Sequence, residues 1–287
     1  MSKYVLSAFS DEAGESLDEQ IAALQRNGIR HMEIRFIDGV SICKTPLEKV
    51  SEYKKKLDEA GIKVVTIGSS VGKVALDEDY NAHMALFLHT LAVAKILGAT
   101  RIRMFSIFMP KDEDPAQYRQ LVMERMEQML AIAEAAGIEL YHENEKDIYG
   151  DVDSRVIELM DAFAGRMKFV FDPANYIQCG CKPLEIYPRL KSRISCFHIK
   201  DALTGDGRVV PAGAGDGNIR ELLTDYAKEH DNTMLTVEPH LKVFTGLTDT
   251  VSMPSEKDYV YSSNAEAFDV AVTALKNILE QEDLSYE

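Results

Sequence analysis

Four residues in the second half of the chain have types and spacing that suit one piece of chemistry: Glu143, Asp172, His198 and Glu238. Each closes a short apolar run, in ELYHE, KFVFD, ISCFH and MLTVE respectively. A strand buried on both faces has no reason of its own to end in an acid, because an unpaired carboxylate out of water is costly. Taken singly, such an acid reads as a helix N-cap or a solvated loop residue, and His198 as a satisfied core histidine. On successive strands the four converge, and three carboxylates beside an imidazole need a cation among them. Oxygen donors with one nitrogen suit Mn2+ or Mg2+, and also Co2+ or Zn2+ with an expanded shell, whereas the sulfur ligands of closed structural zinc are missing. Coordination positions left open would then accept a substrate's oxygens.

Convergence requires elements that bring these runs side by side. Short β-rich runs alternate along the chain with segments whose apolar residues recur at three and four, the pattern of strand then helix. The spacing predicts strands at Tyr4–Phe9, His31–Phe36, Lys63–Ile67, Thr100–Met104, Glu139–Glu143, Lys168–Asp172, Ile194–His198 and Met234–Glu238. Ser16 with Glu19 three residues on predicts a helix start, and Asn27-Gly28 its end. Gly61, Gly98 and Gly137 each follow a helical run and precede a β-branched one. Alternating units of this kind make a parallel sheet, and eight of them fit a closed (β/α)8 barrel. The turn after the first strand, Ser10-Asp11-Glu12-Ala13-Gly14, lacks the spaced glycines of a dinucleotide-binding open sheet. One domain over 1–287 is the simplest division, closed by a helix at 265–282.

Charge narrows the class. The chain has 287 residues, with 47 acidic against 32 basic side chains and a formal net charge of -15. That balance repels nucleic acid and anionic lipid, and no basic patch overrides it. Neither a signal peptide core nor a run of roughly 20 apolar residues is present, so a cytoplasmic protein is expected. Cys43, Cys179, Cys181 and Cys196 are too scattered for a disulfide framework, and the Cys179-Gly180-Cys181 pair lacks the second thiol pair a soft metal would want.

Supporting residues follow from the same strand ends. Lys200 stands two past His198 and His240 two past Glu238, each placed to reach the same face; a solvated lysine and a packing histidine are the plain alternatives. Glu33 and Arg35 alternate at the end of the second strand, toward the mouth or as an ion pair, and Asn144 and Glu145 follow Glu143 directly. The glycine-dense segment from Thr204 to Gly217 offers backbone N–H groups that would cradle an anion, with Arg208 helping, or would form a flexible cover.

The segments SAFSDEAGESLDEQI, HMEIRFIDG, LGATRIRMFS, HENEKDIYGD, FDPANYIQCG, CFHIKDA and TVEPH resemble those of the sugar phosphate isomerase/epimerase proteins, xylose isomerase-like barrels that include ketose 3-epimerases and inosose dehydratases. The likeness runs from the first strand to the last. It implies that Glu143, Asp172, His198 and Glu238 bind one divalent metal ion, and that Glu143 and Glu238 pass protons on opposite sides of a sugar through an enediolate. A dehydratase on the same scaffold is the alternative, with a metal-dependent abasic-site endonuclease as a third. Many relatives carry a histidine three residues after the aspartate, where this chain has Asn175. An amide exchanges hydrogen bonds but takes up no proton at neutral pH, which favours a single metal and leaves Asn175 a substrate contact. The expected partner is a small carbohydrate, within a homo-oligomer as barrels of this kind often form.

Overall fold

The eight predicted runs are eight parallel strands closed into a barrel in the computed structural model, which describes residues 2–243 and 261–287. They are β1 (Tyr4–Ala8), β2 (His31–Ile34), β3 (Lys63–Gly68), β4 (Arg101–Met104), β5 (Glu139–Glu143), β6 (Lys168–Phe171), β7 (Ile194–Ile199) and β8 (Thr233–Val237). Each lies beside its neighbours in chain order, and β8 returns to pair with β1, Tyr4 opposite Thr233 and Ala8 opposite Val237.

Helices fill the outer layer: α1 (Leu17–Arg26), α2 (Leu47–Glu59), α3 (Tyr80–Leu97), α4 (Arg119–Ala135), α5 (Asp153–Ala162), the short α6 (Pro173–Gln178), α7 (Pro183–Leu190), α8 (Ile219–Tyr226) and α9 (Asn264–Gln281). Ser16 and Glu19 make the reciprocal cap that their spacing predicts, Ser16 Oγ accepting from the Glu19 N–H and Glu19 accepting from the Ser16 N–H.

The alternation of side chains along a strand determines what lies under the site. Two residues before Glu143, Asp172 and His198 stand Tyr141, Val170 and Cys196, and with Val5 and Met234 these form one buried apolar cluster. It is a packed plug, so the acids above it face a low-dielectric floor. The intervening residues Leu140, Phe169, Phe171, Phe197 and Leu235 join the larger core shared with the helices.

Two features lie outside the expected βα pattern. After β2 the chain makes a small hairpin, Phe36–Ile37 with Val40–Ser41, turned by Asp38 and Gly39 at φ 52° and 72°. The Asp-Gly pair between apolar residues is the sequence signal for that turn. After β7 the glycine-dense loop does cradle an anion, but the anion belongs to the protein. Asp201 accepts from the N–H groups of Ala202, Gly213, Gly215 and Gly217 at 2.8–3.1 Å. These amides are therefore committed to fixing the loop, and Arg208, on the hairpin that follows Asp201–Ala202, faces Asp206 at 3.8 Å.

On the far side of the mouth, the segment after β3 runs against the one after β4. Gly72 holds φ +87°, and a Cβ there would sit 1.9 Å from the carbonyl oxygen of Phe105. Both the conformation and the close approach exclude a side chain. Gly72→Ala is expected to cost more than about 3 kcal/mol, measured by urea unfolding, because strained backbone and overpacking add.

Candidate metal centre

β5, β6, β7 and β8 are consecutive in the barrel, and their C-terminal ends bring Glu143, Asp172, His198 and Glu238 together. Each offers a ligand atom, and these atoms all lie within 4.8 Å of one another, fully buried. His198 Nδ1 is 2.9 Å from Glu143 Oε1 and 3.6 Å from Glu238 Oε2. Its other nitrogen, Nε2, is 3.2 Å from Glu33 Oε2, which also accepts from the Thr236 hydroxyl at 3.1 Å. Glu33 thus orients the imidazole so that Nδ1 faces the cluster, the arrangement that carboxylates give to metal-binding histidines.

The two oxygens of Asp172 face different ways. Oδ1 caps α6, accepting from the Asn175 N–H at 2.9 Å, while Oδ2 turns into the cluster 2.9 Å from Lys200 Nζ. The loop is tied further by Asn144, whose side chain exchanges hydrogen bonds with the backbone of Asp172 at 2.9 Å each way. Asn175 Nδ2 donates to Glu143 Oε1 at 3.2 Å and to the Asn144 carbonyl at 2.9 Å.

Two arginines grip the two glutamates. Arg103 Nε lies 3.2 Å from Glu143 Oε2, and Arg35 Nη1 donates to Glu238 Oε1 at 3.1 Å. Arg35 also binds Asp11 at 2.8 Å and Glu12 at 3.0 Å, and Glu33 and Arg35 are not each other's partners. Both guanidiniums stack over the Phe9 ring, Arg35 at 4.4 Å and Arg103 at 5.5 Å from its centroid, and Phe9 packs T-shaped with His198 at 5.2 Å. His240 Nδ1 is 3.2 Å from Glu12 and 3.7 Å from Glu238, so it backs the cluster from outside. A second group, Glu12, Glu238 and His240, is close enough to hold an ion, but Arg35 already supplies it with positive charge.

Electrostatics fit a divalent cation. Burial pushes Asp172 up, to about 8, with Glu143 and Glu238 adding to the rise against the pull of Lys200. Burial would raise Glu143 as well, but His198 and Arg103 outweigh it and hold the carboxyl at about 2. Burial disfavours the His198 cation, yet Glu143 and Glu33 keep it well above the usual imidazole range. Even with an ammonium and two guanidiniums nearby, three buried carboxylates around one imidazole leave the cluster able to take up more positive charge. Asp172 Oδ2 also finds no hydrogen-bond partner of good geometry. A cation of charge two, held by oxygen donors and one nitrogen, would meet these demands.

Arg103, Asp11, Glu12 and Phe9 escape a reading of the second strand and the last four. The same strand-end test applied to β1 and β4 would have flagged Asp11-Glu12, two acids just past a strand, and Arg103, a charge inside an apolar one.

No curated protein matches the chain by sequence. Among solved structures it is similar to the IOLI protein with a bound zinc atom, at TM-score 0.74 and 15% identity over 98% of this chain and 99% of that one. The D-allulose 3-epimerase of a Methylomonas species gives 0.72 and 14% over 97% and 99%. The probable 3-DHS dehydratase AsbF of Bacillus anthracis gives 0.72 and 14% over 96% and 99%. At such identities the likeness concerns the fold. The family model described as xylose isomerase-like TIM barrel matches residues 21–252, most of the chain and seven of its eight strands. The chain belongs to the xylose isomerase-like TIM barrel family.

Proposed function

We propose that the chain is a divalent-metal-dependent isomerase or epimerase of a sugar or sugar phosphate, with Glu143, Asp172, His198 and Glu238 as ligands. The observation that carries this reading is the closure of four buried donors to within 4.8 Å, two of them glutamates fixed by separate arginines. When bound, such an ion stabilises negative charge on a substrate's carbonyl and neighbouring hydroxyl oxygens, which acidifies the adjoining C–H bond.

The protein's part is proton transfer. One glutamate takes the proton from carbon and the other returns one to the opposite face, which inverts that carbon. Glu143 Oε2 and Glu238 Oε1 each face one close partner, an arginine, and keep a further lone pair, so a held glutamate remains a base. Arg35 and Arg103 limit rotation of the two carboxylates, and the apolar plug beneath keeps water from the floor. Lys200 and Asn175 line the cluster, from where they would meet substrate oxygens, while His240 would act from behind Glu238.

Loss of a hydroxyl from the same intermediate would make the enzyme a dehydratase. A nuclease reading is disfavoured by the net charge of -15 and by Asn175. No helix among the described residues is long and apolar enough to cross a membrane.

Incubating the metal-loaded protein in D2O with a panel of ketoses, inososes and sugar phosphates tests the proposal by NMR. Deuterium at a single carbon of one substrate, with or without loss of a hydroxyl, is expected. A panel in which no carbon exchanges, at any metal, would refute proton transfer.

A further inference from the structure

Lys200 occupies a position that the proposed metal needs. Its ammonium is 2.9 Å from Asp172 Oδ2 and 3.0 Å from Glu238 Oε2, bridging two of the four donors. The residue is 6% exposed, and Asp172 is fully buried. Glu143 and Glu238 have arginine partners of their own, whereas Lys200 is the only cation within ion-pair distance of Asp172 among the described residues. Lysine's compact charge on a flexible stem suits a group that moves, unlike the forked and stacked guanidiniums of Arg35 and Arg103.

Resting on the proposed ligand set, we infer that Lys200 is the built-in counter-cation of the empty site, and that the metal must displace its ammonium from Asp172 Oδ2 and Glu238 Oε2. Two cations cannot share those oxygens at close range without strong repulsion. The ammonium therefore swings away when the ion enters. It would remain tethered just past β7, at the edge of the cluster, where it could receive an oxygen of the substrate. The same side chain stabilises the empty protein and contributes to the substrate site of the loaded one. Metal would bind before substrate in consequence.

The test is calorimetric titration of the metal-free protein with Mn2+, comparing wild type with Lys200→Met, which keeps length and loses charge, and Lys200→Arg, which keeps charge. Removing a competing cation should tighten Mn2+ binding by between about 5-fold and 150-fold, the range of ordinary coupling between two sites. Lys200→Arg should not tighten it. Thermal unfolding without metal should show Lys200→Met less stable than wild type, with most of the difference erased by saturating Mn2+. Equal or weaker Mn2+ binding by Lys200→Met, with the wild type taking up the ion, would overturn the counter-cation role and leave the ligand set standing. A wild type that takes up no ion would overturn both.

Discussion

Asp172→Ala should empty the proposed site, with a loss of metal affinity greater than about 100-fold. Changes to groups that merely orient a ligand already cost 10- to 100-fold, and Asp172 would be a ligand itself. Its Oδ2 is the donor that faces Lys200 inside the cluster, and nothing else on β6 reaches there. The alanine variant also loses the cap of α6, which costs about 1 kcal/mol, so a second variant is needed to separate the two roles. Asp172→Asn keeps an oxygen for the Asn175 N–H and removes only the charge. Both variants should lose the ion to a similar degree by elemental analysis after desalting, while Asp172→Asn keeps wild-type helix content by circular dichroism. Retention of metal by Asp172→Asn would show that β6 supplies no charged ligand.

The second large effect concerns the glutamates. Glu143→Gln and Glu238→Gln preserve shape and hydrogen-bonding reach but cannot take up a proton, and each should lower turnover of the identified substrate by about 10²- to 10⁴-fold. The two should fail differently. A variant that keeps the abstracting base but lacks the group on the other face would still exchange the substrate's own proton with D2O while forming little product. The other variant would do neither. Deuterium exchange and product formation measured side by side thus assign the two roles, and equal, full activity in both variants would remove these residues from the chemistry. The double variant should be scarcely slower than the worse single one, since groups acting in one step are not additive.

Much of this arrangement was legible in the chain because parallel strands buried on both faces read as unbroken apolar runs. Against such a background Glu143, Asp172, His198 and Glu238 stand out as breaks, and the barrel's regular order turns four breaks into one cluster. Strand ends were placed within two residues, the largest error falling after β2, where the Asp38-Gly39 hairpin takes over from the barrel strand. What the chain did not disclose was pairing. Glu33 and Arg35 are close in sequence yet turn to different partners, one to His198 and the other to Asp11, Glu12 and Glu238. The glycine loop's amides looked available to a substrate anion, but the nearest carboxylate in space is Asp201, 12 residues from the first of those glycines. Phe9 could not be read as a platform for two guanidiniums, because these come from β4 and from the residue just past β2. In each case the strand determines which face a residue occupies, and only the closed barrel determines what it meets there.

The count of bound ions tests the central claim most directly. Metal-free protein titrated with Mn2+, with the free ion followed by electron paramagnetic resonance, should show one tight site per chain, with the second carboxylate group at Glu12 and His240 left to Arg35. Uptake of no ion, or of two or three with comparable affinity, would contradict the account.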